Sequence, residues 1–446
     1  MKNAPYPSAR MRLFLLAYAL LWTLALPLIL LYLRRRARKD PDYGAHLGER
    51  FGRYPVALPG SVWVHAVSLG ELRSAVPLIK ALLARGEHVV TTHFTPAGRR
   101  EAMRVFAGDI AAGRLIPVWI PFEFDWAYRR FFRAFSPRYG LVMEIEIWPR
   151  MIAACHRHGV PLLMCNAQYP SKSYDRDTNR MPIRAQMMTG FAGALVKSDL
   201  QRQRFESVGV TNIAVTGELR FDQPVPEPLV AAGQRLRAWL RAGDRPVVAL
   251  ASVVEGEDDG MLTGLQESLA AHDAAGLPRP LFLYIPRAPE RFDAVAGMIE
   301  ARGFAMARRS SLLAPDLTPL GPPPQIDVLL GDSLGEMYAW LAMADRVVVG
   351  GGFTPKGSHN ISEPLALGRP VMVGPDIHTI EYPAVEAIAA GVCRRLGSFD
   401  DLAEALSPGA TDPSPEAILA FFAAHSGAVE KTLEAIPRLL AAATRR

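Results

Sequence analysis

The hydrophobic pattern of the chain changes character after Leu33. Leu13 to Leu33 reads LFLLAYALLWTLALPLILLYL, an uncharged run of about 21 residues, the length a helix needs to cross a hydrocarbon core. Beyond it the apolar residues come in short bursts. SVWVHAV ends in the small turn Ser68-Leu69-Gly70-Glu71, and LRSAVPLIKALLARG then shows helical periodicity up to Gly86. HVVTTHF, LIPVWIPF, YGLVMEIEIWP, VPLLMCNA and GALVKS repeat the strand pattern with amphipathic stretches between them. Alternating strands and helices predict a parallel sheet covered on both faces.

A proline cluster in TGELRFDQPVPEPL closes this half, and RPVVALAS, PLFLYIPR, GFAMARR, IDVLLGD, DRVVVGGG and RPVMVGP open a second series. The expected class is α/β, with two doubly wound, Rossmann-like domains facing a cleft. The expected boundaries are residues 1–40 for an anchor and basic collar, 41–225 for the first domain and 226–446 for the second, its last helix packing back on the first. Ligands bind such sheets outside the carboxyl ends of the strands, so functional side chains are sought just after the apolar runs.

The flanks of the apolar run bear on its setting. Lys2, Arg10 and Arg12 precede it, whereas Arg34, Arg35, Arg36, Arg38 and Lys39 follow it at once, which orients the bulk of the chain to the cytoplasmic side of a membrane. A cleaved signal would have a shorter apolar core and a small-residue cleavage site where RRRARKDP stands. A helix lying in the interface remains a second geometry, since Pro27 interrupts the run and the collar suits anionic lipids. The formal net charge of +6 fits a membrane or an acidic substrate. No nucleic-acid motif accompanies it. Cys155, Cys165 and Cys393 are too scattered for a disulfide framework or a zinc site.

Glu71 stands on a strand-to-helix turn, where a carboxylate suits either the first turn of a helix or a general base. In MEIEIWPR, Glu144 and Glu146 are two apart on what reads as extended chain, which would send both to one face, with Arg220 of GELRFD as the cation between them. In the second half, GGGFTPKGSHNISEP joins a glycine turn to a helix start near Asn360, Ile361, Ser362 and Glu363, a pattern suited to phosphate, with the glycines expected to admit the ligand. Pro286 and Arg287 in IPRAPERF, and Leu334, Gly335 and Glu336 in GDSLGEMY, follow other strands. The planar fork of Arg287 suits a phosphate or carboxylate. No Walker or GxGxxG sequence is present.

Together GERFG, HAVSLGE, TTHFTPAG, MEIEIWP, TGELRFD, IPRAPERF, GDSLGEMY and GGGFTPKGSHNISEP resemble the 3-deoxy-D-manno-octulosonic acid (Kdo) transferases of lipopolysaccharide synthesis. The resemblance implies a GT-B fold and an inverting transfer from CMP-Kdo to the lipid A precursor, lipid IVA, without a metal or other cofactor. It implies Glu71 as the base and Glu144 or Glu146 as a second acidic residue. It places CMP contacts on Pro286 and Arg287, on Leu334 to Glu336, and on Asn360 to Glu363. The chain departs from the family in having Arg220 in place of lysine, Val253-Val254 in place of threonine and histidine, and Gln168-Tyr169-Pro170 where an arginine is usual. The alternatives are a transferase or epimerase using another nucleotide sugar, and a non-catalytic membrane-bound paralogue.

Overall fold

The protein is described from a computed structural model that covers residues 6–444, so Lys2 of the N-terminal flank lies outside the described residues. Contacts divide the chain into two compact units, residues 1–223 with 426–446, and residues 224–425.

The first unit carries seven strands: β1 (Val62–His65), β2 (Val89–His93), β3 (Leu115–Trp119), β4 (Tyr139–Met143), β5 (Leu162–Ala167), β6 (Gly193–Val196) and β7 (Ile213–Val215). Their order across the sheet is β3, β2, β1, β4, β5, β6, β7, and every pairing is parallel. Strands β8 (Val247–Val253), β9 (Leu281–Pro286), β10 (Met306–Arg308), β11 (Val328–Leu330), β12 (Arg346–Val349), β13 (Val371–Val373) and β14 (Cys393–Arg395) form the sheet of the second unit. Its order is β10, β11, β9, β8, β12, β13, β14, again all parallel. Central strands such as β1, β4, β5 and β9 are buried at every position. That is why they read as unbroken apolar runs rather than alternating ones.

The helices used below are α1 (Ala9–Ala37), α2 (Leu69–Ala84), α3 (Pro96–Val105), α4 (Asp125–Phe135), α5 (Pro149–His158), α6 (Pro182–Met188), α7 (Met337–Met343), α8 (Ser362–Ala366) and α9 (Ala428–Thr444). Leu72, Leu78, Ile79 and Leu82 of α2 pack on one face of the first sheet with Leu433, Ile436 and Leu439 of α9. The side chain of Asp222 accepts from the backbone N–H groups of Gly427 and Val429, both at 2.6 Å, and so seats the first turn of α9 on this unit. On the other face, Phe131 and Phe135 of α4 and Met151 and Ile152 of α5 enclose Trp63. Met11 and Leu15 of α1 are buried in that same cluster, and farther along α1 Leu33 packs with Phe122, Phe124 and Ala127. The opposite side of α1, including Leu13, Leu20, Leu24, Leu28 and Leu31, is exposed.

Strand order reverses between β1 and β4 in the first sheet and between β8 and β12 in the second. Chains leaving two such strands diverge to opposite sides and open a crevice at their carboxyl ends.

Candidate active site

Glu71 lies beside the crevice of the first unit, in the first turn of α2. Ser68 caps that helix, its Oγ accepting from Glu71 N at 3.3 Å. The carboxylate closes the loop in return, accepting from Val67 N at 2.8 Å and from Ser68 Oγ at 2.9 Å. Two donors fix its orientation, yet it remains only half buried. Burial, then the negative charge of Glu146, and more weakly that of Glu144, push its pKa up to about 7 against the lowering effect of the two hydrogen bonds. Two buried, neutral histidines back the turn. His93 Nδ1 donates to Ala66 O at 3.1 Å, and burial holds its pKa down at about 3. His65, held at about 4 by burial, sits 2.8 Å from Thr92 Oγ1 with its ring edge on Trp148.

The expected arrangement of Glu144 and Glu146 is corrected here. Strand β4 ends at Met143, and Glu144 adopts a left-handed φ of 55°, so the alternation that would align the two side chains is broken. Glu144 turns toward β5 and β6, accepting from Asn166 Nδ2 at 3.0 Å and pairing with Lys197 Nζ at 3.1 Å. Glu146 accepts from Trp148 Nε1 at 2.8 Å, and burial raises its pKa. The cation that meets Glu144 is Lys197. Arg220 donates from Nε to Ser74 Oγ at 2.8 Å, one turn of α2 beyond Glu71. Glu218, fully buried, pairs with Lys197 at 2.6 Å. Burial would raise its pKa, but the charges of Lys197 and Arg220 outweigh this and hold it below the usual value.

Sequence reading missed Lys197, Asn166 and Glu218. Lys197 directly follows β6, so the rule that found Glu71 would have found it too.

In the second unit Arg287 follows β9, where its backbone N–H donates to Val253 O at 2.9 Å, and its side chain is exposed. The glycines after β12 serve a purpose other than the one expected. A Cβ on Gly350, Gly351 or Gly352 would meet Ser252 O at 2.6 Å, Gly357 O at 2.3 Å or Ser358 Oγ at 2.2 Å. They admit the protein's own chain. Buried Glu257 holds the loop by accepting from Gly351 N at 2.8 Å, Phe353 N at 3.0 Å and Val254 N at 3.1 Å.

The helix expected near Asn360 is α8, five residues long, with Asn360 Oδ1 accepting from Ser362 N at 3.0 Å and Ser362 Oγ at 2.7 Å. Ile361 and Ser362 are buried, and Glu363 is half buried. Glu336, at the start of α7, is tied to Arg309 at 2.6 Å and to Ser333, and Leu334 and Gly335 are exposed beside it. Pro286 is buried at the end of β9. His359 was not singled out by sequence. Its Nε2 is buried without a partner among the described residues, and burial, then the charges of Arg287 and Lys356, lower its pKa to about 4. It is a neutral imidazole within electrostatic reach of two cations.

Among the described residues no three His, Cys, Asp or Glu side chains are grouped to hold a metal ion. All three cysteines are buried free thiols.

Residues 45–223 match the family model described as 3-deoxy-D-manno-octulosonic-acid transferase (kdotransferase). The 3-deoxy-D-manno-octulosonic acid transferase of Bordetella pertussis is 41% identical over an alignment covering 93% of this chain and 98% of the relative. The enzyme of that name from Haemophilus influenzae is 31% identical, with 82% and 83% covered. The solved glycosyltransferase of Rickettsia africae shares the fold at a TM-score of 0.55 and 13% identity, over 87% of this chain and 99% of that one.

Proposed function

The chain belongs to the 3-deoxy-D-manno-octulosonic acid transferase family, and from that premise we propose that it moves Kdo from CMP-Kdo to lipid IVA with Glu71 as the base. The chain is a GT-B glycosyltransferase of lipopolysaccharide synthesis. In the proposed step the acceptor hydroxyl oxygen attacks the anomeric carbon of Kdo as the bond from that carbon to the CMP phosphate breaks. The hydroxyl proton passes to Glu71, the electron pair of the broken bond leaves with CMP, and the anomeric configuration inverts.

The observation that carries this reading is the state of Glu71. It sits beside a topological switch point, oriented by Val67 N and Ser68 Oγ, with a pKa pushed up to about 7. A base is most effective when its pKa lies near the working pH, because it is then both substantially ionised and strong enough to take the proton. Burial first, and then the charges of Glu146 and, more weakly, Glu144, keep it there, and Arg220 steadies the following turn of α2.

On the donor side, the departing phosphate would be met by Arg287 and Lys356, with His359 as a neutral donor and the backbone of Leu334 and Gly335 and of Asn360 to Glu363 around the nucleotide. Preorganised donors and charges at such a leaving group can replace a metal ion. Pro286, buried at the end of β9, and Glu336, paired with Arg309, lie in the segments that carry these groups. The apolar helix α1 is long enough to cross a membrane. It would hold the enzyme at the inner membrane on the cytoplasmic side, where the lipid acceptor and anionic lipids lie.

The test is transfer from CMP-Kdo, generated in place, to lipid IVA, read by product mass. Glu71→Gln should lower kcat by about 10²–10⁴-fold while CMP binding stays unchanged. Full activity in that variant would remove Glu71 from the reaction.

A further inference from the structure

Where the apolar surface of α1 ends, a cavity of about 580 Å³ opens against the start of α3, lined by Tyr32, Arg35, Arg36, Lys39 and Arg100 among others. Four cations face it, with Asp40 the one acidic group in its lining. Arg100 is already committed: Asp40 accepts from Nη1 at 3.0 Å and from Nη2 at 3.1 Å, and Asp42 binds Nη1 as well. Arg36 donates to Tyr43 Oη at 2.7 Å and lies over that ring at 4.6 Å. Arg35 and Lys39 are exposed, and no carboxylate among the described residues pairs with either. The cavity thus keeps a net positive charge after its internal pairs are counted.

Its position relates it to both the membrane and the base. Leu28, Leu31 and Tyr32 are exposed just before the cations, which sets the cavity at the depth where lipid head groups meet water. The other wall is the first turn of α3, and that turn touches the Glu71 loop. Thr95 Oγ1 donates to Val67 O at 3.0 Å, and a Cβ on Gly98 would come within 3.2 Å of the Ser68 carbonyl carbon. Val67 and Ser68 are the two residues that bond the Glu71 carboxylate. The hydroxyl of Thr95 is directed to Val67, so α3 has no side-chain cap, and its first turn carries no acidic residue. That leaves the positive end of α3 on the same cavity wall as the side-chain cations.

We infer that this cavity binds a phosphate carried by a lipid, and that with lipid IVA as acceptor the phosphate is one on the acceptor's own sugar head. The inference rests on the acceptor named above. A phosphate offers several oxygens to separate donors, which suits two arginines and a lysine spaced around a pocket. Holding the head group there would bring a sugar hydroxyl toward the Glu71 loop and leave the acyl chains along the exposed side of α1.

The experiment is binding of the full chain to neutral phosphatidylcholine vesicles doped with lipid IVA, with lipid IVA stripped of phosphate by a phosphatase, or with phosphatidylglycerol. Wild type should prefer the phosphorylated acceptor about tenfold over the stripped one, and Arg35→Gln with Lys39→Gln should erase that preference. CMP affinity, unchanged in the variant, reports that the fold is intact. Asp40→Asn, which frees Arg100 from one of its two carboxylate partners, should tighten binding of the phosphorylated acceptor, a gain that misfolding cannot mimic.

A loss in the double variant confined to phosphatidylglycerol vesicles would assign the cavity to a bulk lipid phosphate instead and overturn the acceptor subsite. A preference for phosphorylated acceptor that survives the double variant would overturn the site altogether. Since binding is read without turnover, failure of Kdo transfer itself would show separately, in the product-mass assay.

Discussion

At the residue scale the site turns on how burial and neighbouring charge set protonation. Glu71 is raised to about 7 chiefly by burial and next by the charge of Glu146, so a base mechanism has a definite pH signature. Activity needs the ionised form, and kcat/KM should rise with pH through about 7 and then level off. Glu146→Gln removes the second cause, so the rise should move to lower pH; a profile that stays in place would show that the two carboxylates do not communicate. Lys197 poses a different question. It is nearly buried between Glu218 and Glu144, and Lys197→Met would leave Glu218 buried without its cation. Breaking one partner of a buried pair costs about 3–5 kcal/mol, and chemical denaturation of the variant should register a loss of that order. Glu71 was legible in the sequence because a residue just after a strand, before a periodic helix, is a local pattern. The links from Glu144 to Asn166 and Lys197 were not. They join the ends of β4, β5 and β6, which the sheet brings together and the sequence keeps apart.

Two elements carry predictions of their own. Helix α5 begins without a side-chain cap from its own N-cap residue, Trp148. Its cap comes from Glu123, fully buried, which accepts from Arg150 N at 2.9 Å and Met151 N at 3.2 Å as well as from Tyr128 Oη at 2.7 Å. Burial nevertheless lifts the Glu123 pKa from 4.5 to about 7. With the folded value above the unfolded one, its contribution is fully present below about pH 4.5 and is lost as pH rises through about 7. The loss is on the order of 3 kcal/mol. Glu123→Gln should therefore gain stability relative to wild type as pH goes from 4.5 to 7, seen as a narrowing gap between their thermal midpoints. Helix α1 read as a membrane span from length and charge alone, with an interfacial course as the other geometry. Its packed side, from Met11 and Leu15 to Leu33, is engaged with the first unit near both ends. A helix held to the domain in this way favours lying in the interface with its opposite side toward lipid. Leu24→Lys with Leu28→Lys, on the exposed side, should move the protein to the soluble fraction without lowering its thermal midpoint. Sequence periodicity could not have told the two sides of α1 apart, because the run is apolar all round.

At the scale of the whole molecule, both sheets follow one rule, with strand order reversing near β1 in the first and near β8 in the second. The alternating pattern of strands and helices made this class readable, and parallel strands ensured that the residues just after them would gather at one sheet edge. The glycines after β12 were misread because a glycine needed for backbone contact looks, in sequence, like one needed for a ligand. This correction bears on how the donor is held. If those glycines serve the loop itself, the phosphate depends on side-chain charge. In the proposed reaction Arg287 and Lys356, the two cations near His359, would supply it, while Glu257 is engaged by the glycine-loop amides and Glu336 by Arg309. A donor with one phosphate suits two cations better than a diphosphate does, and engaged carboxylates are poor metal ligands. Calorimetry on the full chain should accordingly rank CMP above UDP and GDP, and excess EDTA should leave Kdo transfer unchanged. A rate that EDTA abolishes and magnesium restores would mean that the phosphate is held by a metal ion and that Arg287 and Lys356 act elsewhere.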